Sequence, residues 1–426
     1  MYKRLLLTLT ALCLFSLAAP AQTQTALPAV EPEILGYSSQ RLERLHSGIQ
    51  QFIDNGSYAG AVTLVARYGN IADVRAYGYR DLENAVPQQP DDIFRIFSMT
   101  KVVTSVGILM LYEQGQLDLN DPVSKFIPEI DQMQVWAGGA GDAIQLVPQE
   151  RPLTIRMLLC HTSGIPYDFS AGEALAPYYA GNPMLAAHDG DTFIRELVKC
   201  PLVFQPGTEM RYGMGVDVLG VVIERITGQS LGQYLREQIF DPLHMDDTGF
   251  SVPEEKRSRL SGLYTHNADG LRAMVPGRDP ISAPEVDGSL ICGFESGGAG
   301  LYSTIFDYAK FAQMLLYGGE YNGARLLSPK TVELMTANHL ENLPRKTHMW
   351  SDYEGFGLGV EVQLTLATSG RIGSIGSYGW DGAASTYFRV DPQEQTVELI
   401  FLQHMPYDPY HIFERFHTLH YQAIVE

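Results

Sequence analysis

Strand-like segments lie near both ends of this chain, and the segments between them are mainly helical. Near the N-terminus, residues 60–81 (GAVTLVARYGNIADVRAYGYRD) have the composition of two strands joined at a turn. Near the C-terminus, three further segments have strand character: GFGLGVEV, AASTYFRVDP and QTVELIFLQH. This distribution predicts one α/β sheet built from both ends of the chain, with a helical lobe inserted between them. It does not fit the regular alternation of strands and helices that produces a parallel sheet.

The chain is long enough for a large core, with 426 residues of which 45% are apolar. We predict a polar linker at 22–37 and one domain at 38–426. Within that domain, the α/β part covers about 38–100 and 300–426, and the helical lobe covers about 105–295.

The first residues have the pattern of a signal peptide. MYKR is followed by the apolar run LLLTLTALCLFSLA and by APAQ, which predicts cleavage after about Ala21. Leu12, before Cys13, is too large for a lipoprotein anchor. No later stretch reaches the roughly 18 apolar residues of a membrane span. The sequence therefore predicts a periplasmic or secreted protein with no integral membrane segment after cleavage.

Charge and cysteine content restrict the partners further. The formal net charge is −19, and removal of Lys3 and Arg4 with the signal peptide would make it −21. Such a balance argues against nucleic acids and anionic membranes as partners. Cys160, Cys200 and Cys292 remain, so at most one disulfide can form within the chain. Buried free thiols are the expected state.

Two serines compete for the role of nucleophile. Ser230 lies in GQSLG, which matches the G-x-S-x-G elbow of α/β-hydrolases. An elbow requires a strand directly before it, but the preceding DVLGVVIERIT has helical spacing. Gly228 fits a helix C-cap, and Ser230 with Gln233 fits a capping box for the next helix. The pattern therefore predicts a turn between two helices, with Ser230 as a cap.

The second serine, Ser98, precedes Lys101 in S-x-x-K at the start of an apolar helix that extends to Gln114. Residues three apart share a helix face, and the helix N-terminus favours a serine alkoxide and disfavours an ammonium. These residues could form a nucleophile and its base. On spacing alone, a second interpretation is equally good: Ser98 is a helix cap, and Lys101 extends into solvent.

Five stretches, spanning about 90–390, resemble the serine β-lactamase/penicillin-binding-protein superfamily, in the order found in that family. The resemblance is greatest to class C β-lactamases and to the family VIII carboxylesterases. The stretches are FSMTKVVTSVGILMLYEQGQLDLNDPVSKFIPE, LTIRMLLCHTSGIP, FQPGTEMRYGMGVDVLGVVIERITGQS, GGAGLYSTIFDYAKFAQMLLYGGEYNGARLLSP and YGWDGAASTYFRVDP. The resemblance implies an α/β fold of the β-lactamase/D,D-peptidase type, in which helices flank an antiparallel sheet and a mainly helical lobe is inserted.

The resemblance also implies roles for individual residues. Ser98 would be the nucleophile, Lys101 the lysine of the first motif and Tyr212 the tyrosine of the second. The backbone N–H groups of Ser98 and Ala383 would form the oxyanion hole. We expect Lys101 and Tyr212 to titrate as a coupled pair that activates Ser98.

The expected substrate contacts depart from the penicillin-recognising pattern. Trp380-Asp381-Gly382 stands where β-lactamases and D,D-peptidases usually have Lys-Thr/Ser-Gly, and Met214 replaces the asparagine of Tyr-x-Asn. An apolar Trp380 suits a neutral acyl or alcohol group better than a carboxylate. Hydrolysis of small carboxylic esters is therefore the leading hypothesis. Asp381 departs from the esterase pattern as well, and the sequence assigns it no role.

Several other assignments complete the sequence-based picture. Asp217 matches an esterase-like Y-x-x-x-x-D spacing, but helix capping or packing is the expected role. His417-x-x-His420 lacks the glutamate of a zinc protease and predicts a surface or packing role, and His161 is expected in a structural turn. No metal or organic cofactor is implied, the partner is a small-molecule ester, and the oligomeric state is undetermined. The alternative functions are β-lactamase or D,D-peptidase activity and a non-catalytic cell-wall-binding homologue.

Overall fold

The computed structural model describes residues 27–275, 279, 293–343 and 352–426. The predicted signal peptide at 1–21 and Cys292 lie outside the described residues.

An eight-stranded antiparallel sheet combines strands from both ends of the chain, in the order β12-β13-β14-β15-β16-β1-β2-β3. β1 pairs with β16, with Val62 opposite Phe401, and this pairing joins the N-terminal and C-terminal strands. The predicted α/β fold with an antiparallel sheet is thereby confirmed. The strands are β1 Gly60–Arg67, β2 Asn70–Asp81, β3 Val86–Pro87, β4 Phe94–Arg95, β5 Val135–Gly138, β6 Gln145–Val147, β7 Tyr264–Asn267, β8 Gly270–Ala273, β9 Tyr302–Ser303, β10 Glu320–Tyr321, β11 Ala324–Arg325, β12 Glu354–Phe356, β13 Glu361–Gln363, β14 Tyr378–Gly382, β15 Thr386–Asp391 and β16 Thr396–Phe401.

The helices of the described part lie on both faces of the sheet and in the middle of the chain. The α-helices are α1 Ser39–Asp54, α2 Thr100–Glu113, α3 Ile155–Leu159, α4 Ala176–Tyr179, α5 Gly190–Leu197, α6 Gly215–Thr227, α7 Leu231–Leu235, α8 Asp241–Leu243, α9 Ile305–Leu316, α10 Pro329–Met335 and α11 Ile412–Tyr421. A π-helical turn, Arg236–Phe240, joins α7 to α8. Short 3-10 helices are Pro32–Leu35, Phe97–Met99, Val123–Lys125, Pro128–Gln132, Gly141–Ala143, Asp168–Ser170 and Glu254–Arg259.

The sheet is buried on both faces. Successive residues of a strand point in opposite directions, so each strand contributes side chains to both faces. On β1, Leu64 joins the large core cluster that contains α2, α6 and α9. Its neighbour Val65 joins a second cluster that contains α1 and α11. The interior strands are therefore apolar on both sides, and α2 is enclosed between the sheet and the helical lobe.

The described part of the predicted linker is packed against this domain. Val30 N–H donates to the carbonyl oxygen of Ile71 at 3.1 Å. Leu35 and Tyr37 are buried in the cluster beside α1 and α11. Burial of these apolar side chains makes residues 27–37 part of the folded domain instead of a free linker.

The two described cysteines are buried and unpaired, as predicted for them. The Cys160 thiol donates to the carbonyl oxygen of Arg156 at 3.0 Å. Burial raises the pKa of Cys160, so its thiol stays protonated and packs as a small apolar group.

The structure confirms that Ser230 is a helix cap. α6 ends at Thr227, its C-cap Gly228 has a φ of 70°, and α7 begins directly after Ser230. The Ser230 hydroxyl accepts a hydrogen bond from the N–H of Gln233 at 3.2 Å. The G-x-S-x-G stretch follows a helix instead of a strand, and its serine caps the next helix. It is therefore not a nucleophile elbow.

The cap contributes to stability and gives a direct test of this assignment. Ser230→Ala should lower the free energy of unfolding by about 1 kcal/mol, because the Gln233 N–H loses its partner. Ser230→Asp should restore most of this loss. Urea unfolding of the three proteins measures the effect, and equal stability of the alanine and wild-type proteins would contradict the capping role.

Candidate functional site

Ser98 lies in the 3-10 turn Phe97–Met99, directly before α2. Phe97 has a φ of 42°, a left-handed conformation that is strained for a bulky residue. The Phe97 side chain is buried with Leu263 and Ala384, which stabilises this turn. Residue Met99, not Ser98, occupies the N-cap position, and no side chain caps the helix. The cap interpretation of Ser98 is therefore wrong, and the turn leaves Ser98 partly exposed.

Lys101 lies one helical turn above Ser98 and is buried, with 1% of its surface exposed. Its ammonium donates to Ser98 Oγ at 3.2 Å, to Tyr167 Oη at 2.9 Å and to the carbonyl oxygen of Gly298 at 2.7 Å. The interpretation in which Lys101 extends into solvent is therefore wrong. The lysine is held by three acceptors at hydrogen-bond distance, and one of them is the Ser98 hydroxyl.

Tyr212 packs beside the same lysine. Lys101 Nζ lies 4.7 Å from the Tyr212 ring centroid. The Tyr212 ring contacts those of His161 at 4.7 Å and Trp380 at 5.7 Å between centroids. At Gly213, a Cβ would overlap with the carbonyl oxygen of Ile165, so only glycine allows this loop to approach so closely. The structure thus brings Ser98, Lys101 and Tyr212 together.

Burial acts in opposite directions on the two titratable groups next to Ser98. Burial lowers the pKa of Lys101 to about 8, although the charges of Asp217 and Asp381 oppose this shift. Burial raises the pKa of Tyr212 well above its usual value, and hydrogen bonding with Ser98 and Trp380 offsets only part of the increase. Near neutral pH, Lys101 can lose its proton while Tyr212 remains a phenol.

Two residues that the sequence analysis did not assign to the site complete the environment of Lys101. Tyr167 Oη accepts from Lys101 and donates to Asp217 Oδ2 at 3.5 Å. Asp217 is fully buried and also accepts from Ser296 Oγ at 2.5 Å and from Gly298 N–H at 3.0 Å. The spacing after Tyr212 had pointed to Asp217, but Tyr167 had no comparable signal because it lies 66 positions from Lys101.

The end of β14 lies against the segment that precedes Ser98. At Gly382, a Cβ would overlap with the carbonyl oxygen of Ile96 and with the Thr386 hydroxyl. Glycine therefore allows the strand to approach the Ser98 turn. Trp380, two residues earlier, packs in the main core against Tyr212 and Phe356. Ala383 follows directly, and its role as an oxyanion-hole donor stays a prediction.

Asp381 and Met214 were predicted to contact the substrate, and the structure places their side chains elsewhere. Asp381 is opposite Tyr387 in the β14–β15 register, so both side chains point to the α11 face of the sheet. The Asp381 carboxylate accepts from Tyr407 Oη at 2.7 Å. Met214 is 1% exposed, and its carbonyl oxygen accepts from the N–H of Asp217 at 3.1 Å at the start of α6. Strand alternation and core burial, respectively, explain these positions.

The histidines discussed in the sequence analysis, His161, His417 and His420, pack against neighbouring side chains. His417 and His420 are buried and donate to the two oxygens of Glu398, which agrees with the predicted packing role. His161 has a φ of 56° in the turn after α3 and packs on Tyr212. Among the described residues, no group of three or more His, Cys, Asp or Glu side chains could hold a metal ion.

This arrangement is suited to nucleophilic catalysis. A buried amine with a lowered pKa contacts the hydroxyl of a serine at the start of a helix, and the phenol of Tyr212 lies beside both groups. The profile of the Beta-lactamase family matches residues 45–422. The chain belongs to the β-lactamase family.

Similar proteins of this family are named for different activities. The lovastatin esterase of Penicillium rubens is 34% identical over 300 residues, which cover 68% of this chain and 71% of that protein. A Salmonella typhimurium protein, provisionally named a D-alanyl-D-alanine carboxypeptidase, is 29% identical over 95% of this chain and 91% of its own length.

Solved structures of hydrolases and acyltransferases have the same fold. EstCE1, described as a hydrolase with promiscuous acyltransferase activity, has a TM-score of 0.75 and 25% identity, over 91% of this chain and 98% of that one. Simvastatin synthase (LovD) from Aspergillus terreus has a TM-score of 0.77 and 27% identity, over 90% and 98%. These similarities support a hydrolase of the β-lactamase fold. None of the helices in the described ranges has the length and apolarity of a membrane span.

Proposed function

We propose that this protein is an exported serine hydrolase that cleaves small carboxylic esters through an acyl-enzyme on Ser98. The observation that carries the proposal is the hydrogen bond of 3.2 Å between Ser98 Oγ and the buried Lys101, whose pKa burial lowers to about 8. A lysine that loses its proton near neutral pH, in contact with a serine hydroxyl, is a general base.

In the first half-reaction, neutral Lys101 takes the proton of Ser98 Oγ as that oxygen attacks the ester carbonyl. The backbone N–H groups of Ser98 and Ala383 would donate to the oxyanion of the tetrahedral intermediate. Tyr212, still a phenol, would donate a proton to the departing alkoxide and recover one from Lys101. The products of this half-reaction are an alcohol and the acylated Ser98. Water then attacks the acyl group by the reverse proton transfers and releases the acid.

The surroundings of Ser98 favour an ester substrate over a carboxylate-bearing one. Trp380 and Phe356 pack together next to Tyr212 and supply an apolar wall. Asp217, which is connected to Lys101 through Tyr167, adds negative charge that disfavours an anionic substrate. The names of the Penicillium lovastatin esterase and of EstCE1 agree with ester chemistry. The name of the Salmonella relative supports the second candidate, D,D-peptidase activity.

Turnover measurements with wild type, Ser98→Ala and Ser230→Ala test the proposal. We expect p-nitrophenyl butyrate to be hydrolysed by wild type and Ser230→Ala, and turnover by Ser98→Ala to fall at least about 10³-fold, because the nucleophile is lost. A chromogenic cephalosporin and a peptide ending in D-alanyl-D-alanine should be poorer substrates.

Three outcomes would change the assignment. Faster cephalosporin or peptide cleavage than ester cleavage would reverse the substrate choice. Ester turnover that survives in Ser98→Ala but disappears in Ser230→Ala would contradict the mechanism. No turnover and no labelling of Ser98 would favour a cell-wall-binding protein.

Export is a separate part of the proposal and is supported by the N-terminal pattern alone. Expression of the full chain in a Gram-negative host should yield a periplasmic or secreted protein whose N-terminus begins after about Ala21. Intact mass and N-terminal sequencing of the fractionated protein test this, and an uncleaved protein in the cytoplasm would contradict it.

A further inference from the structure

Asp381 is the one charged residue of the Trp380-Asp381-Gly382 motif, and the mechanism above gives it no task. Its carboxylate accepts from Tyr407 Oη at 2.7 Å. It lines a cavity of about 330 Å³ beside β14, β15 and α11. The Asp381 carboxylate therefore lies on the α11 side of β14, the strand whose end lies against the Ser98 turn.

The cations that face this cavity are engaged by other acids. From β15, Arg389 pairs with Glu361 at 3.2 Å. From the loop before β14, Arg371 pairs with Glu354 at 3.0 Å.

The remaining ionisable groups that line the cavity supply no cation to Asp381. Asp408 and Glu414 are acids, and Asp408 accepts the Tyr58 hydroxyl at 3.0 Å. His417 pairs with Glu398, and His411 begins α11. Tyr387 and Tyr407 add phenols. Within the described ranges, Asp381 has no ion-pair partner within 4.0 Å.

The position of Asp381 in the strand brings this charge close to the reaction centre. The next residue, Gly382, lies against the carbonyl oxygen of Ile96, two residues before Ser98. We propose that Asp381 is a positioning residue that keeps a proton on Lys101 from behind β14, and thereby sets the pH at which Ser98 becomes nucleophilic. This inference rests on the proposed function, in which Lys101 is the base.

The pKa values of the two groups agree with this coupling. Burial raises the pKa of Asp381 to about 7, although the Tyr407 hydrogen bond opposes the shift. Burial lowers the pKa of Lys101 to about 8, and the negative charges of Asp217 and Asp381 oppose this shift. The negative charge of Asp381 therefore favours the protonated form of Lys101, and its removal should ease the loss of that proton.

Asp381→Asn tests the coupling, because asparagine keeps an acceptor for Tyr407 and removes the charge. We expect the pH at which Ser98 becomes reactive to fall by roughly half a pH unit, which corresponds to about a twofold faster reaction at pH 7.5. The readout is labelling of Ser98 by a fluorophosphonate between pH 6 and 9.5, followed by intact mass. In this reaction Ser98 Oγ forms a bond to phosphorus, fluoride leaves, and Lys101 takes the proton.

Asp391→Asn is the matched control. Asp391 lies on β15 at the opposite end of the same sheet, and it also accepts a tyrosine hydroxyl, from Tyr421 at 2.6 Å. This variant should lose stability but keep the wild-type pH profile. A structural disturbance of the sheet would change rates in both variants without a shift along the pH axis.

The outcomes separate this inference from the proposed function. A wild-type pH profile in folded Asp381→Asn, or loss of labelling at every pH, would overturn the role of Asp381. Wild-type labelling without ester turnover would refute the proposed esterase activity and leave the pH comparison intact. A wild-type protein that is not labelled at any pH would refute both, since Ser98 would then not be activated.

Discussion

Lys101→Met should reduce kcat/KM for p-nitrophenyl butyrate by a factor of about 10² to 10⁴. Methionine fills nearly the same volume in the core but cannot accept the Ser98 proton, and general bases contribute factors of this size. Wild type should show kcat/KM rising with pH and levelling above about pH 8, because burial sets the pKa of Lys101 near that value and only the neutral amine is a base. The residual activity of the methionine variant should lack this rise. Initial rates between pH 6 and 9.5 measure both effects.

Lys310→Met is the matched control for Lys101→Met. Lys310 is also buried, with 7% of its surface exposed, and it pairs with Asp307 at 3.0 Å on α9. Its loss should destabilise the protein through the unpaired Asp307, yet the folded variant should retain the wild-type kcat/KM and pH profile. Turnover by Lys101→Met within tenfold of wild type would contradict the assignment of Lys101 as the base.

The sequence predicted the parts of the fold and the site that depend on local patterns. The strands at both ends and the Ser230 cap follow from residue periodicity and capping chemistry, and both agree with the structure. Spacing left the roles of Ser98 and Lys101 open because a lysine in a first helical turn can extend either into solvent or into the core. The choice depends on acceptors distant in sequence, namely Tyr167 and Gly298.

The features of the site that the sequence could not predict depend on contacts between segments that are distant in the sequence. Asp381 was grouped with the substrate contacts because its neighbours Trp380 and Gly382 are in the motif. However, strand alternation directs its carboxylate to the α11 face, where Tyr407 contacts it. The pairing of β14 with β15 determines which residues of β14 point to the α11 face of the sheet. The local sequence of the motif does not contain that information.

The interface between α11 and the sheet contains a buried acid that the His-x-x-His pattern did not reveal. Glu398 on β16 is 2% exposed and accepts from Nδ1 of His417 and Nδ1 of His420, each at 2.5 Å. Nε2 of His417 lies 2.7 Å from the carbonyl oxygen of Ile372. A carboxylate only accepts, so His417 and His420 both donate to Glu398 from Nδ1. This buried carboxylate and its two histidine donors attach α11 to the sheet.

Glu398→Gln should lower the free energy of unfolding by about 3–5 kcal/mol, because His417 and His420 would lose the charged acceptor that they share inside the core. Burial alone would raise the pKa of Glu398, but the charges and hydrogen bonds of His417 and His420 outweigh it and hold the pKa well below its usual 4.5. The ionised carboxylate therefore stabilises the fold fully above about pH 4.5, and this contribution is lost as the pH falls further. Urea unfolding should show the full difference between wild type and variant at pH 7 and a smaller one below pH 4.5.

Glu394→Gln is the control for Glu398→Gln, because Glu394 pairs with Arg67 at 3.0 Å but is 37% exposed. A partly exposed pair of this kind contributes at most about 1 kcal/mol, so its loss should be small and nearly independent of pH. Both variants should keep the wild-type kcat/KM at 25 °C, since α11 packs on the face of the sheet opposite to α2 and Ser98. If Glu398→Gln unfolded no more readily than Glu394→Gln at pH 7, the buried Glu398 carboxylate would not be what holds α11 to the sheet.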